Sequence, residues 1–309
     1  MFEEKHHILI FILLILSNSV FPQHDKIPSI KKTNGVFQFI VKEKPYLMLG
    51  GELSNSATSD VEMMKGIWGK LKDMNLNTVL APVYWELIEP EEDKFDFTLV
   101  DTMINQAREK DLHLVLLWFG SWKNSMSCYV PEWIKEDYKR FPHTLDADGK
   151  PAEIVSPFCK EALTADIKAF SELMKHIKSV DEIEQTVIMM QVENEIGQLP
   201  DARDYSTLAN RAFQADVPKE LMDYLSKNRK NLLPSIENLW ASNGYKQKGN
   251  WESVFGKSLA TDELFMAWNF AVYADKVAAA GKSIYPLPMY VNCALNRPNY
   301  RPGQYPSGG

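Results

Sequence analysis

Two kinds of segment alternate along this chain. Short stretches apolar at nearly every position, 77–83, 113–119 and 186–192, are separated by longer ones in which apolar residues return every three or four positions. The second pattern gathers apolar side chains on one helical face. It predicts a helix around Val61, Met64, Trp68 and Leu71, opened by Ser59 and Glu62 at capping-box spacing. A second helix is expected over 98–111, through Leu99, Met103, Ile104 and Ala107, and a third over about 160–180, through Leu163, Ile167, Phe170, Met174 and Ile177. Residues 265–280 read as a further helix, stopped by Gly281. Residues 35–41, 46–49 and 286–294 complete the expected strands. Pro200, Pro218, Pro234, Gly244 and Gly249 cut residues 200–260 into short helical pieces, an insertion after the fourth strand.

Strands apolar throughout are buried on both faces, which means a parallel sheet covered by helices. There is no Gly-x-Gly-x-x-Gly after the first strand and no Gly-Lys-Ser/Thr loop, so nucleotide-binding doubly wound folds lose support. Polar and aromatic residues gather instead just past the ends of several strands, where a (β/α)8 barrel builds its active site. The expected fold is therefore α/β, a (β/α)8 TIM barrel in which five of the eight strands are present, near residues 48, 80, 116, 189 and 290.

Gln191-Val192-Glu193-Asn194-Glu195-Ile196-Gly197 sets an amide beside a carboxyl where a buried strand emerges. Glycoside cleavage needs a carboxylic acid to protonate the leaving oxygen and a second carboxylate across the sugar. Glu195 is the candidate acid/base, with Asn194 beside it to hold a sugar hydroxyl. A strand-end carboxylate that only caps a helix is the plainer alternative, and the Asn-Glu pair followed by Gly weighs against it. Glu193, two residues earlier, would share Glu195's facing in a strand and is expected to be a supporting, hydrogen-bonded carboxylate.

Aromatic residues crowd the third strand and its exit: Trp118, Phe119, Trp122, Tyr129, Trp133, Tyr138 and Phe141. Flat rings bind the C–H face of a sugar, and Lys123 and Asn124 offer polar partners at its edge. Core packing is the better reading for Trp133, Tyr138 and Phe141, whereas Trp118 and Trp122 fit a sugar platform as well as they fit a core. Tyr84 and Trp85, after the second strand, form a further candidate binding cluster. Glu52, after Gly50-Gly51, either grips hydroxyls or braces the barrel mouth. A net charge of −7 argues against nucleic acid as a partner. Cys128, Cys159 and Cys293 are far apart, with neither disulfide nor metal-ligand spacing, and all three are expected to be buried or idle. No metal or organic cofactor is implied; the expected partner is a carbohydrate.

On these residues the chain resembles glycoside hydrolase family 35 β-galactosidases, in a bacterial subgroup with features of family 42. Residues 191–197 look like that family's acid/base motif. The run Asn77-Thr78-Val79 through Trp85, with Glu89-Pro90 and Phe95-Asp96-Phe97, is similar to its second-strand region. Phe119-Gly120-Ser121-Trp122-Lys123-Asn124 and Pro288-Met289-Tyr290-Val291-Asn292 look closer to the subgroup. Trp122-Lys123-Asn124 replaces the acidic Ala-Glu-Trp stretch of better-known members, and Pro82-Val83-Tyr84-Trp85 replaces their Tyr-Val-Pro-Trp. The resemblance implies a retaining β-glycosidase acting on terminal β-galactosides, with Asn194 and Glu195 in the roles given above. Other members of the same clan, such as β-mannanases and β-glucanases, share the Asn-Glu pair, and a carbohydrate-binding pseudoenzyme is the non-catalytic alternative. The resemblance also puts the nucleophile after a seventh strand, outside these 309 residues, so that residues 20–309 would be a truncated catalytic barrel, inactive alone.

The N-terminus adds a destination. Lys5 precedes an unbroken apolar run, residues 8–16, followed by Ser17, Asn18 and Ser19. Charged start, apolar middle and small-residue end are the order of a secretory signal peptide over residues 1–19. The run falls far short of the roughly 20 residues a membrane-spanning helix needs, so the protein is expected to be secreted or periplasmic, with no stable membrane insertion. N-terminal sequencing of exported protein should find a start near Val20; a soluble cytoplasmic product retaining Met1 would contradict this.

Overall fold

The computed structural model describes residues 27–294. The expected signal peptide and the proline-rich tail after residue 294 lie outside them. Strands β1 (Ser29–Thr33), β2 (Val36–Val41) and β3 (Lys44–Pro45) make a small antiparallel sheet. β4 (Gly50–Glu52), β5 (Thr78–Tyr84) and β6 (His113–Phe119) follow, then the hairpin β7 (His143–Leu145) and β8 (Pro151–Val155), then β9 (Val187–Val192) and β10 (Met289–Tyr290). The main sheet is parallel in the order β10-β9-β6-β5-β4. With helices between successive strands, this is the five-strand part of a (β/α)8 barrel.

Both faces of the sheet are buried, as the unbroken apolar runs require. Val79, Ala81, Val83, Leu114, Leu116, Trp118, Val187 and Met190 pack outward against the helices. Tyr84, Val115, Leu117, Phe119 and Ile188 form the inner cluster. The β6–β9 register shifts between Leu114 and Val115, and Ile188 and Met189 both join the inner cluster while Val187 and Met190 stay outside.

The N-terminal sheet covers the barrel end where the strands begin. Phe39 and Val41 enter the inner cluster. The Tyr46 hydroxyl lies 2.9 Å from both the Asn77 carbonyl oxygen and Thr78 Oγ1, and its ring meets His113 edge-on at 5.0 Å. The Lys42 amide donates to Gln185 Oε1 at 3.1 Å. With that end covered, the mouth at the strands' C-terminal ends is where a ligand can enter.

Several expectations are corrected. Asp60, not Ser59, caps the first helix, accepting from the Met63 amide at 2.9 Å. Ser59 turns back onto the Ser56 carbonyl, and Gly66 ends the helix after Val61–Lys65 before a second one, Trp68–Asp73, begins. Residues 46–49 are not strand, and the first barrel strand starts at Gly50. β1 and the β7–β8 hairpin were not expected, because their alternation is short and mostly polar. The expected fifth strand over 286–294 pairs only at Met289 and Tyr290. Cys293 is exposed, whereas Cys128 and Cys159 are buried. Among the described residues no helix is long and apolar enough to cross a membrane.

The insertion folds as four helices, Thr207–Gln214, Lys219–Asn228, Pro234–Ser242 and Trp251–Phe255. Phe213 and Trp251 anchor it by meeting Phe265 edge-on at 5.0 and 5.2 Å. Phe265 belongs to the helix Leu259–Ile284, which runs through Gly281 instead of stopping there. Gly281 is needed for a close approach: a Cβ there would collide with the Phe170 ring, lying 2.8 Å from Cδ1, and would come 3.0 Å from Met174 Cγ. Gly281→Ala gains about 1 kcal/mol of helix propensity but overpacks this contact by about 1–3 kcal/mol. We expect net destabilisation, read as a lower denaturation midpoint; a stabilised variant would contradict the close approach.

Candidate active site

β9 ends at Val192, and the chain then turns through two residues in the left-handed region, Glu193 at φ +60° and Glu195 at φ +43°. Neither is glycine, and each such residue costs of the order of 1–3 kcal/mol. The alternation of a continued strand is broken. Glu193 lies among the outer helices, while Glu195 stays partly exposed, so the expectation that the two share a facing is corrected.

Glu193 is buried. Its Oε2 accepts from the Trp122 amide at 2.8 Å and its Oε1 from the Ser121 amide at 3.2 Å. Behind it stands buried Asp166, which accepts from Trp118 Nε1 at 3.0 Å, Ser121 Oγ at 2.7 Å and the Tyr273 hydroxyl at 3.3 Å. Burial first, then the adjacent Asp166 carboxyl, pushes the Glu193 carboxyl well above the usual range. Glu193 is thus a hydrogen-bonded carboxyl away from the mouth, in line with the supporting role expected of it.

Asn194 is buried and already engaged. Its carbonyl oxygen accepts from Gln191 Nε2 at 2.9 Å and Asn292 Nδ2 at 2.8 Å, and its amide nitrogen donates to the Lys123 carbonyl at 2.8 Å. One N–H remains for a ligand. Asn292 Oδ1 also accepts from the Glu195 amide at 2.9 Å. The ends of β6, β9 and β10 are therefore tied together around Glu195. Gln191, Ser121 and Asn292 were given no role from the sequence, although a polar residue within the apolar run of β9 and one just past each of β6 and β10 were signals available there.

The expected aromatic platform divides in two. Trp85, Trp118 and Trp122 are all fully buried and present no face to a sugar. Trp85 donates to Glu89 Oε2 at 2.8 Å, Trp118 to Asp166, and Trp122 packs edge-on against Tyr273 at 4.5 Å. Core packing is thus the outcome for all three. On the inner face the rings of Tyr84, Phe119 and Tyr129 meet, with Phe119 stacked on Tyr129 at 5.5 Å and Tyr84 at 5.1 Å from Tyr129. The Lys123 ammonium lies 5.3 Å from the centre of the Phe119 ring. The Tyr84 hydroxyl is 3.1 Å from Thr58 Oγ1. Asn124 folds its carbonyl oxygen onto the Met126 amide and the Ser127 hydroxyl, at 2.9 and 3.0 Å, so that oxygen serves its own turn. Glu52 is exposed at the end of β4. β4 and β10 are opposite edges of the sheet, yet the Glu52 charge, after burial, helps push Tyr290 up to about 12.

A partly exposed carboxylate at the mouth of such a barrel, on a loop tied to three strand ends, is suited to acid/base work on a sugar. The model of glycoside hydrolase family 42, β-galactosidase, matches residues 55–257. The chain belongs to glycoside hydrolase family 42. The resemblance to family 35 is corrected accordingly, and the loop 119–124 had already pointed toward family 42. A comparison with curated proteins gives no match. Among solved structures, the cold-adapted β-galactosidase of Rahnella sp. R3 is similar at 17% identity and a TM-score of 0.53, over 80% of this chain and 36% of that one. A family 42 β-galactosidase from G. stearothermophilus matches at 14% and 0.51, over 79% and 35%. The catalytic domain of a β-amylase from Paenibacillus polymyxa matches at 15% and 0.52, over 78% and 64%. At these identities the likeness speaks for the barrel fold, and this family 42 chain spans less than two thirds of each of those structures.

The Asn292 bridge can be tested without a substrate. Asn292→Ala removes two hydrogen bonds worth together about 1–3 kcal/mol. We expect faster amide exchange at Glu195 by hydrogen-exchange mass spectrometry. Unchanged exchange there would show that the bridge does not hold the loop.

Proposed function

We propose that the protein is a retaining β-galactosidase that releases terminal β-galactosyl units from oligo- or polysaccharides, with Glu195 as its acid/base. The observation that carries this reading is the placing of Glu195, in a family 42 chain, at the barrel mouth and on a loop tied to the ends of β6, β9 and β10. As the acid, Glu195 protonates the leaving oxygen; as the base, it then takes a proton from the water that releases the sugar. A second carboxylate about 5–5.5 Å away forms the covalent intermediate in such a mechanism; the resemblance puts that nucleophile after a seventh strand. The free N–H of Asn194 faces a bound hydroxyl in this reading, the half-buried ring of Tyr129, backed by Tyr84 and Phe119, takes the apolar face of the sugar, and Lys123 takes a polar edge. Glu52 contributes from the opposite rim. Export, following the N-terminal run, belongs to the same proposal, since polysaccharide substrates lie outside the cell.

Glu195→Gln in the full-length protein should lower lactose turnover by about 10²–10⁴-fold or more, the usual contribution of general acid catalysis. Nitrophenyl galactoside, whose leaving group needs little protonation, should suffer less in the bond-breaking step. Near-normal lactose turnover by this variant, with its fold verified by circular dichroism, would sink the assignment.

A further inference from the structure

Two carboxyl groups lie buried together behind the acid/base loop, and the proposed mechanism gives neither a part. Glu193 comes from the end of β9 and Asp166 from the helix Lys160–Asp181. Both are almost wholly buried, and Ser121 joins them, its amide donating to Glu193 and its hydroxyl to Asp166. The groups facing them are Ser121, Trp118 and the Trp122 amide from the end of β6, and Tyr273 from the helix Leu259–Ile284. Cys159, at the start of the Asp166 helix, is the other titratable group acting on Tyr273. None of these is a cation, and no ion pair to either carboxyl occurs among the described residues. Two like charges in a buried site without a counter-cation cannot both persist, so one proton is retained between them.

The donors around the two carboxyls differ. Glu193 Oε2 accepts a short bond from the Trp122 amide, 2.8 Å, as a carbonyl oxygen does. Oε1 accepts a longer one from the Ser121 amide, 3.2 Å, and Ser121 is the residue whose hydroxyl also reaches Asp166 at 2.7 Å. Ser121 thus bridges the two carboxyls, its amide on Glu193 Oε1 and its hydroxyl on Asp166. Asp166 takes three donors, from Trp118, Ser121 and Tyr273, whereas the side-chain oxygens of Glu193 take two backbone amides.

We propose that Glu193, as a neutral acid donating to Asp166, is a positioning residue that holds the loop 120–123 against the end of β9 and, through it, sets Asn194 and Glu195. The route is short. Glu193 takes the amides of Ser121 and Trp122; the next residue, Lys123, gives its carbonyl to Asn194; Asn194 adjoins Glu195. Gly120 is shaped to this arrangement, since a Cβ there would come 2.8 Å from Glu193 Oε1 and collide with Trp118 Nε1. The left-handed backbone at Glu193 is what turns its carboxyl to Asp166.

The positioning step rests on the function proposed above; the proton does not, and the experiment separates them. Glu193→Gln places an N–H where the carboxylic O–H stands and keeps the oxygen that accepts the shorter bond from Trp122, giving up only the longer one from the Ser121 amide, whereas Glu193→Ala removes all of them. Melting temperatures of the full-length protein and both variants would be recorded from pH 4.5 to 9. A carboxyl whose native pKa exceeds its unfolded value contributes stability that is complete below the unfolded pKa and is lost as pH rises toward the native one. Wild type should thus lose ground to Glu193→Gln steadily as pH rises, while Glu193→Ala lies well below both throughout. If Glu193→Gln instead falls with Glu193→Ala at every pH, Glu193 is ionised and the proposal is overturned. Positioning is read separately. Glu193→Ala should speed amide exchange over 121–124 and 194–196 and lower kcat on nitrophenyl galactoside at least about tenfold with KM changed less, and Glu193→Gln should restore most of both. Exchange at 194–196 unaltered in Glu193→Ala would overturn the positioning role. A wild-type protein inactive on galactosides would defeat the function proposed above and leave the shared proton standing on the melting data.

Discussion

The structure depends on how β9 leaves the sheet without stranding polar groups. Gln191, Glu193 and Asn194 are all buried as the chain exits, and each unpaired group there would cost about 1–3 kcal/mol. Their partners come from the neighbouring strand ends: the Ser121 and Trp122 amides and the Lys123 carbonyl after β6, and the Asn292 side chain after β10. Satisfying β9 therefore fixes the loops on either side of it. Only Glu195 among the polar side chains of this exit keeps contact with solvent. Its exposure follows from the burial of its neighbours.

The same pairing supports the left-handed backbone at Glu193 and Glu195. Strain of this kind persists only where surrounding contacts over-determine the conformation. Here the Glu193 carboxyl is held by two amides, and the Glu195 amide is held by Asn292. The helix layer takes part directly, because Asp166 and Tyr273 reach the back of the strand from two different helices. Packing of the helix Leu259–Ile284 on Phe170 through Gly281 sets how close that second helix can come. A change in the outer layer is thereby felt at the mouth of the barrel.

Tryptophan and tyrosine serve opposite sides of the sheet. Trp85, Trp118 and Trp122 lie in the outer layer, two of them donating to buried carboxyls. Tyr84, Phe119 and Tyr129 line the inside. Register separates them: Tyr84 pairs with Phe119 and Val83 with Trp118, and neighbouring positions along a strand face opposite ways. Tyr84 and Phe119 each stand one step along the chain from one of the larger rings, Trp85 and Trp118.

The unbroken apolar runs at 113–119 and 186–192 and the helical spacing over 98–111 and 160–180 were legible because burial on two faces, or on one helical stripe, imposes a period on the chain itself. The Asn194-Glu195 pair was legible for a similar local reason, standing where an apolar run stops. Which way each side chain points was not. A register shift between β6 and β9 and two left-handed residues decide that, and neither leaves a periodic mark. Gly281 illustrates the limit: by itself it reads as a helix end, and only the ring of Phe170, 111 positions earlier, makes it a contact. The link from Glu193 to Asp166, and the tie from Asn292 to Asn194 and Glu195, join residues far apart in the chain. Sequence determined the inner barrel strands, the long helices packed on them and where Glu195 emerges. Tertiary structure alone decided its partners, because hydrogen bonds between strand ends depend on which strands are neighbours.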